Sequence, residues 1–181
     1  MKITQTTLAG ILLIEPRVFS DQRGYFYESH QQQRYVQAGI PPLVQDNVSR
    51  STRNSLRGLH YQLPNAQGKL VWVIRGKVWD VMVDIRRSSP TYKKWFGITL
   101  SDEKPMQIYI PPGFAHGFCT LSDEADFCYK CTDYYAPEAE QGIIWNDPEI
   151  QIDWPVNEPI LSDKDTTFAP LKEISHDKLF A

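Results

Sequence analysis

The chain has 181 residues, with 19 Lys and Arg against 22 Asp and Glu and a formal charge of −3. That length suits a single domain, 1–181, with a sizeable core, and the slight negative charge gives no electrostatic case for nucleic acid or a membrane surface as partner. Nine Tyr, eight Phe and five Trp beside thirteen Pro fit a β-rich fold with many turns.

Residues 1–19 read as two short strands around a turn at Gly10. The apolar run Leu8 to Ile14 is too short to span a membrane, and Lys2 alone makes a poor flank for a secretion signal, so a cytoplasmic protein is expected. Asp21 to Gly24 is a turn into a strand that puts Arg23, Tyr25 and Tyr27 on one face and Phe26 and Glu28 on the other. Ser29-His30-Gln31-Gln32 has the form of a capping box, so a short helix should follow and stop at Gly39, with His30 solvated in its first turn. Pro41-Pro42 then breaks the chain. Leu43 to Ser51 is rich in amides and hydroxyls, which suits either a polar edge strand or a hydrogen-bonding wall for a polar ligand.

Ser55 to Val71 gathers Arg57, His60 and Lys69 with amides and an aromatic residue. Proton transfer needs a base that titrates near neutrality and a fixed cation where negative charge develops, and this stretch offers both. Lys69 to Arg75 reads as a strand, Gly76-Lys77 as a turn, and Val78 to Ile85 as a second strand. The latter alternates cleanly, with Val78, Asp80, Met82 and Asp84 on one face. A carboxylate among apolar neighbours there needs a partner.

Further strands are expected at Trp95 to Leu100, Met106 to Ile110, Gly117 to Leu121 and Phe127 to Tyr134. Short strands with almost no helical periodicity indicate an all-β sandwich or barrel. Residues 136–170 are Pro- and Asp-rich and read as ordered loops laid across it, since Trp145, Ile152 and Trp154 can still pack. A C-terminal helix is expected at about 171–179, with His176 exposed. Cys119, Cys128 and Cys131 read as free thiols. The spacing of Cys128 and Cys131 puts them on opposite faces of a strand, and no second Cys/His pair lies nearby to finish a zinc site.

Pro111-Pro112-Gly113-Phe114-Ala115-His116 has the P-x-G-x-x-H spacing of the second motif of cupin jelly rolls. Metal-binding cupins carry H-x-H in a first motif; here the corresponding place reads His60-Tyr61-Gln62. One His from each motif is too thin a ligand set for a first-row metal, so no metal and no cofactor are expected.

Seven segments, in order over nearly the whole chain, resemble the dTDP-4-dehydrorhamnose 3,5-epimerase family. They are Asp21–Glu28, Val44–Ser49, Leu56–Gln62, Ala66–Val71, Gly113–Phe118, Tyr129–Tyr135 and Leu161–Asp165. The resemblance implies a cupin-like jelly roll with a few short peripheral helices. It implies His60 as general base, Tyr129 as general acid on the other face of the sugar, Lys69 as the cation that stabilises an enolate, and Asp165 as the partner that orients His60. Arg23, Glu28, Gln45, Asn47, Arg57, His116, Glu140 and Lys164 match positions that bind the nucleotide sugar in the family, and Phe26 and Tyr135 would flank it. The implied substrate is dTDP-4-dehydro-6-deoxyglucose, and a homodimer is implied in which the exchanged N-terminal segment lets Arg23 reach the partner's site. Three of these have competing readings: His116 as a side chain held by an inner-face carboxylate such as Asp80, His60 as a satisfied structural histidine beside a strand, and Tyr129 against Tyr134 and Tyr135, between which the pattern does not choose and the resemblance does. Rival functions are an epimerase that inverts only C3 or only C5, a metal-dependent cupin oxygenase, and a non-catalytic nucleotide-sugar binding module.

Overall fold

Short alternating segments punctuated by Gly, Pro and Asn fold into thirteen strands in the computed structural model, which describes residues 1–181. In chain order they are β1 Lys2–Gln5, β2 Leu12–Glu15, β3 Val18–Asp21, β4 Gly24–Tyr27, β5 Gln45–Thr52, β6 Leu56–Gln62 and β7 Lys69–Arg75. There follow β8 Lys77–Asp84, β9 Trp95–Ser101, β10 Gln107–Ile110, β11 Phe114–Thr120, β12 Glu124–Cys131 and β13 Glu140–Gly142. Two sheets form, of order β1-β2-β10-β7-β12-β5 and β13-β6-β11-β8-β9, and β3 and β4 pair only with each other. The sheets face one another as a jelly roll.

Alternation along the strands decides what fills each layer. Val71, Val73 and Phe127 from the first sheet meet Val78, Met82, Phe114 and Phe118 from the second in the space between them. The odd-numbered face of β8, Val81 and Val83, points outward and is covered by Ile143, Ile150, Leu171 and Leu179. The Pro- and Asp-rich segment thus lies across the outer surface of the five-stranded sheet, as its apolar residues require. On the far side, Leu70, Trp72 and Cys128 are covered by Tyr35 and Ile40. Cys128 and Cys131 do point to opposite faces: Cys131 lines the cavity described below, and all three thiols are free. No helix is long and apolar enough to cross a membrane.

Four expectations need correction. The first helix, α1 (Gln32–Gln37), is capped by Gln31, whose side chain accepts from Arg34 N at 2.7 Å, and not by Ser29. The Ser29 carbonyl is committed elsewhere, to Tyr35 Oη and Gln107 Nε2. His30 is half-buried, its ring 4.9 Å from that of Tyr35, and not fully solvated. The C-terminal helix is absent: single 3-10 turns at Leu171–Glu173 and His176–Lys178 flank an extended Ile174-Ser175. Leu171 and Leu179 are both anchored in the cluster on β8, and a continuous helix would not lay the chain along that surface. Within residues 136–170, a strand (β13) and a short helix, α2 (Asp163–Thr166), appear where only loops are expected.

One close approach aligns the two central strands of the site. Gly58 on β6 has φ +129°, and a Cβ there would lie 2.5 Å from Gly117 Cα on β11. Glycine at both positions lets the backbones touch, and His60 and His116 become register partners across β6 and β11.

Candidate active site

The two sheets part at one end to leave a cavity of about 480 Å³. Every chemically active residue expected from the sequence, apart from the N-terminal set, lines it. His60 reaches it from β6, whose neighbouring side chains Leu59 and Tyr61 turn away into the outer cluster. His60 Nε2 donates to Asp165 Oδ1 at 2.5 Å. Asp165 is 2% exposed and sits in the first turn of α2, where Ser162 caps the helix and accepts from Asp165 N. Burial alone would raise the Asp165 pKa; the His60 hydrogen bond outweighs it and holds the carboxyl below its ordinary range. The aspartate therefore stays ionised, fixes Nε2 as the protonated nitrogen, and leaves the lone pair of Nδ1 free. Phe168 stands edge-on to the imidazole at 5.6 Å, on the spot that the missing side chain of Gly142 leaves free.

Tyr129 comes from β12 in the other sheet, so it faces the cavity from the wall opposite β6. Burial raises its pKa, so it holds its proton. Lys69 is the first residue of β7 and the register partner of Cys131. It forms no ion pair, unlike Lys164 and the two cavity histidines. Burial pushes its pKa below the ordinary lysine value, against the opposing charges of Cys131, Glu140 and Asp80. An unpaired cation inside a cavity is a site built for a negative charge that arrives or develops.

The remaining wall is polar. Arg57 donates from Nε to Ser51 Oγ and from Nη2 to the Arg50 carbonyl, which fixes its guanidinium at the cavity edge. Gln45 and Asn47 share the inner face of β5 and bond to each other at 3.0 Å. Tyr135 donates to Glu140 at 2.5 Å, and Lys164 pairs with the same carboxylate. Burial works against ionised Glu140, but these two bonds hold its pKa below normal; the bond to Glu140 pushes Tyr135 up to about 12. His116 lines the cavity, and an inner-face carboxylate, Asp80, does hold it.

Arg23, Phe26 and Glu28 lie elsewhere. Arg23 is paired with Asp21 at the tip of the β3–β4 hairpin, Phe26 is 68% exposed, and Glu28 pairs with Arg34. Within one chain the cavity does not gather them. Sequence reading also missed cavity residues. Ser49 continues the inward face of Gln45 and Asn47 and has a buried hydroxyl with no partner; the alternation of β5 carried that signal. Cys131 follows Tyr129 by two on β12 and is found the same way. Gln62, in the position of the absent second metal-type histidine, instead holds the 134–136 backbone by bonds with Tyr134 O and Ala136 N. No three His, Cys, Asp or Glu side chains converge as a metal-holding group.

The profile of the dTDP-4-dehydrorhamnose 3,5-epimerase family matches residues 5–173. The chain belongs to that family. It is an isomerase. A dTDP-4-dehydrorhamnose 3,5-epimerase from Pseudomonas aeruginosa is 54% identical over 168 residues, covering 91% of this chain and 93% of that protein. A crystal structure of the 3,5-epimerase of Legionella pneumophila in complex with dTDP-4-keto-L-rhamnose superposes with a TM-score of 0.96 at 50% identity, over 99% of this chain and 97% of that one. A dTDP-4-dehydrorhamnose 3-epimerase from Streptomyces niveus is also similar, 40% identical over 91% of this chain and 81% of that protein.

Proposed function

We propose that this isomerase converts dTDP-4-dehydro-6-deoxy-D-glucose to dTDP-4-dehydro-L-rhamnose by inverting C3 and C5 without a cofactor. The observation that carries the reading is the pairing of a carboxylate-backed histidine on one wall of the cavity with a protonated tyrosine on the other. The protons at C3 and C5 lie alpha to the C4 ketone. His60 Nδ1 takes one of them, and Asp165 offsets the charge of the imidazolium so formed. The electron pair moves to the ketone oxygen, and the Lys69 ammonium interacts with that oxygen more strongly in the enolate than in the ketone, which is the condition for acceleration. Tyr129 returns a proton to the same carbon from the opposite face, and the carbon is inverted. Tyr129, whose pKa burial raises, keeps near neutrality the proton it must donate.

Arg57 and Lys164 are the cations available for the diphosphate, with Gln45, Asn47, His116, Tyr135 and Glu140 beside the nucleoside and sugar. Arg23, Phe26 and Glu28 complete the substrate site from a second copy of the chain, in a homodimer of single-domain subunits. The support for this is an exposed hairpin with Phe19, Tyr25 and Phe26 in solvent.

The deciding experiment is incubation with dTDP-4-dehydro-6-deoxyglucose in deuterated water, followed by NMR. Deuterium at both C3 and C5, with the L-configured product, is expected. Label at one carbon only would leave a single-site epimerase, as the Streptomyces niveus relative is named. No label at either carbon would reject epimerisation.

A further inference from the structure

The cavity holds a second histidine–carboxylate pair beside the first. Asp80, on the inward face of β8, has no exposed surface, and its Oδ1 accepts from His116 Nε2 at 2.7 Å. Its Oδ2 has no hydrogen-bond partner. His116 is 7% exposed, and what surface it keeps belongs to the cavity. Its ring stacks on Phe127 at 6.0 Å and 26°.

A buried carboxylate with one idle oxygen is a poor structural element. Desolvation works against it, and an apolar side chain would fill the same space among Val78, Met82, Phe118 and Phe127 without that cost. What an apolar residue cannot do is orient the imidazole. Stacking on Phe127 fixes the plane of the ring but not its sense, because a half-turn about the Cβ–Cγ bond leaves the stack intact. The hydrogen bond to Asp80 selects one sense and one nitrogen. Asp80 also lies near enough to act on the Lys69 ammonium, so the carboxylate is not without a countercharge.

We propose that Asp80 is a positioning residue for the epimerisation: it holds His116 by Nε2 so that Nδ1 is directed, as an acceptor, to a hydroxyl of the bound sugar nucleotide. The inference rests on the epimerase reading for the identity of that ligand. It implies that Asp80 and His116 act as one unit, whereas His60 and Asp165 form another.

The test is a double-mutant cycle on the full-length protein. Asp80→Asn should lower kcat/KM by roughly tenfold or more, and His116→Gln by at least as much. The double variant should be no slower than His116→Gln alone, since Asp80 has nothing left to position. Losses that multiply in the double variant, or an Asp80→Asn enzyme with unchanged kcat and KM, would overturn the proposal. Should Asp80→Asn fail to fold, nitrogen NMR of histidine-labelled wild type gives an independent reading. His116 protonated at Nε2, with its signals displaced on addition of dTDP, is expected. A neutral His116 protonated at Nδ1 would overturn the proposal. An inactive wild type would count against the epimerase reading instead, and the tautomer of His116, read without any substrate, would still decide the part played by Asp80.

Discussion

At the scale of single residues, the site divides into groups whose neighbours fix their charge and one whose neighbours do not. Asp165 and Glu140 are each held ionised by hydrogen bonds that outweigh burial. Lys69 has no such bond, and burial lowers its pKa. Tyr129 moves the other way, upward. Of the two, only Lys69 is moved down towards neutrality. The alkaline limb of the pH profile of kcat/KM is therefore expected below the ordinary lysine value of ~10.4. Lys69→Arg keeps the charge at every accessible pH, so its limb should move upward to that of Tyr129, at a rate reduced by roughly ten- to a hundredfold because the guanidinium fork does not match a point charge. A limb that stays in place in Lys69→Arg would show that another group sets it. Lys69→Met should abolish turnover and yet raise the melting temperature by about 2–4 °C, which corresponds to about 1 kcal/mol in a chain of this size, because it removes an unpaired buried cation.

At the scale of elements, the sequence declared most strongly those strands whose two faces meet different surroundings. β8 alternates because one face meets the barrel interior and the other the C-terminal segment, and its register was readable residue by residue. Asp84 ends that strand. Its buried carboxylate accepts from Arg86 N, Nε and Nη2, from Ser89 Oγ and from Thr91 Oγ1, and so ties down the loop to β9. Burial would raise its pKa, but those bonds bring it down to about 2. A carboxyl lowered on folding contributes stability that is present above its unfolded value of ~3.9 and is lost as pH falls towards 2. Asp84→Asn should thus cost about 2–3 kcal/mol at pH 7 and progressively less below pH ~4, as read by denaturant melts across that range. An equal cost at both ends would mean that the knot works through shape alone. Elements with no alternation were legible only in part. The 171–179 segment has helix-forming residues, but the positions of Leu171 and Leu179 on β8 override them, and such anchoring is invisible along a single chain. The same holds for α2. Its Ser162 cap was there to be seen, but its purpose, the delivery of Asp165 to His60 from 105 residues away, is a product of the fold.

At the scale of the molecule, the N-terminal hairpin is the part that one chain leaves unexplained. β3 and β4 pair only with each other, and Phe19 and Phe26 meet across them at 6.5 Å while half or more of each is exposed. Apolar rings on a free hairpin cost solubility unless something covers them. A two-fold dimer that exchanges hairpins would cover both copies and bring Arg23 of each to the other's cavity. Such exchange has a consequence that no single-chain site can imitate. In that dimer, His60→Asn would disable the cavity of the chain that carries it, and Arg23→Ala would damage the cavity of its partner. Each homodimer alone is then inactive or impaired at both sites. In a mixed dimer both lesions fall in one cavity, and the other is intact. Co-expression of the two variants in equal amounts places half of all dimers in the mixed form, so roughly a quarter of wild-type activity should return. If Arg23 serves its own chain, the mixture can show no more than the average of the two separate variants. Full activity of Arg23→Ala on its own would remove the hairpin from the site altogether.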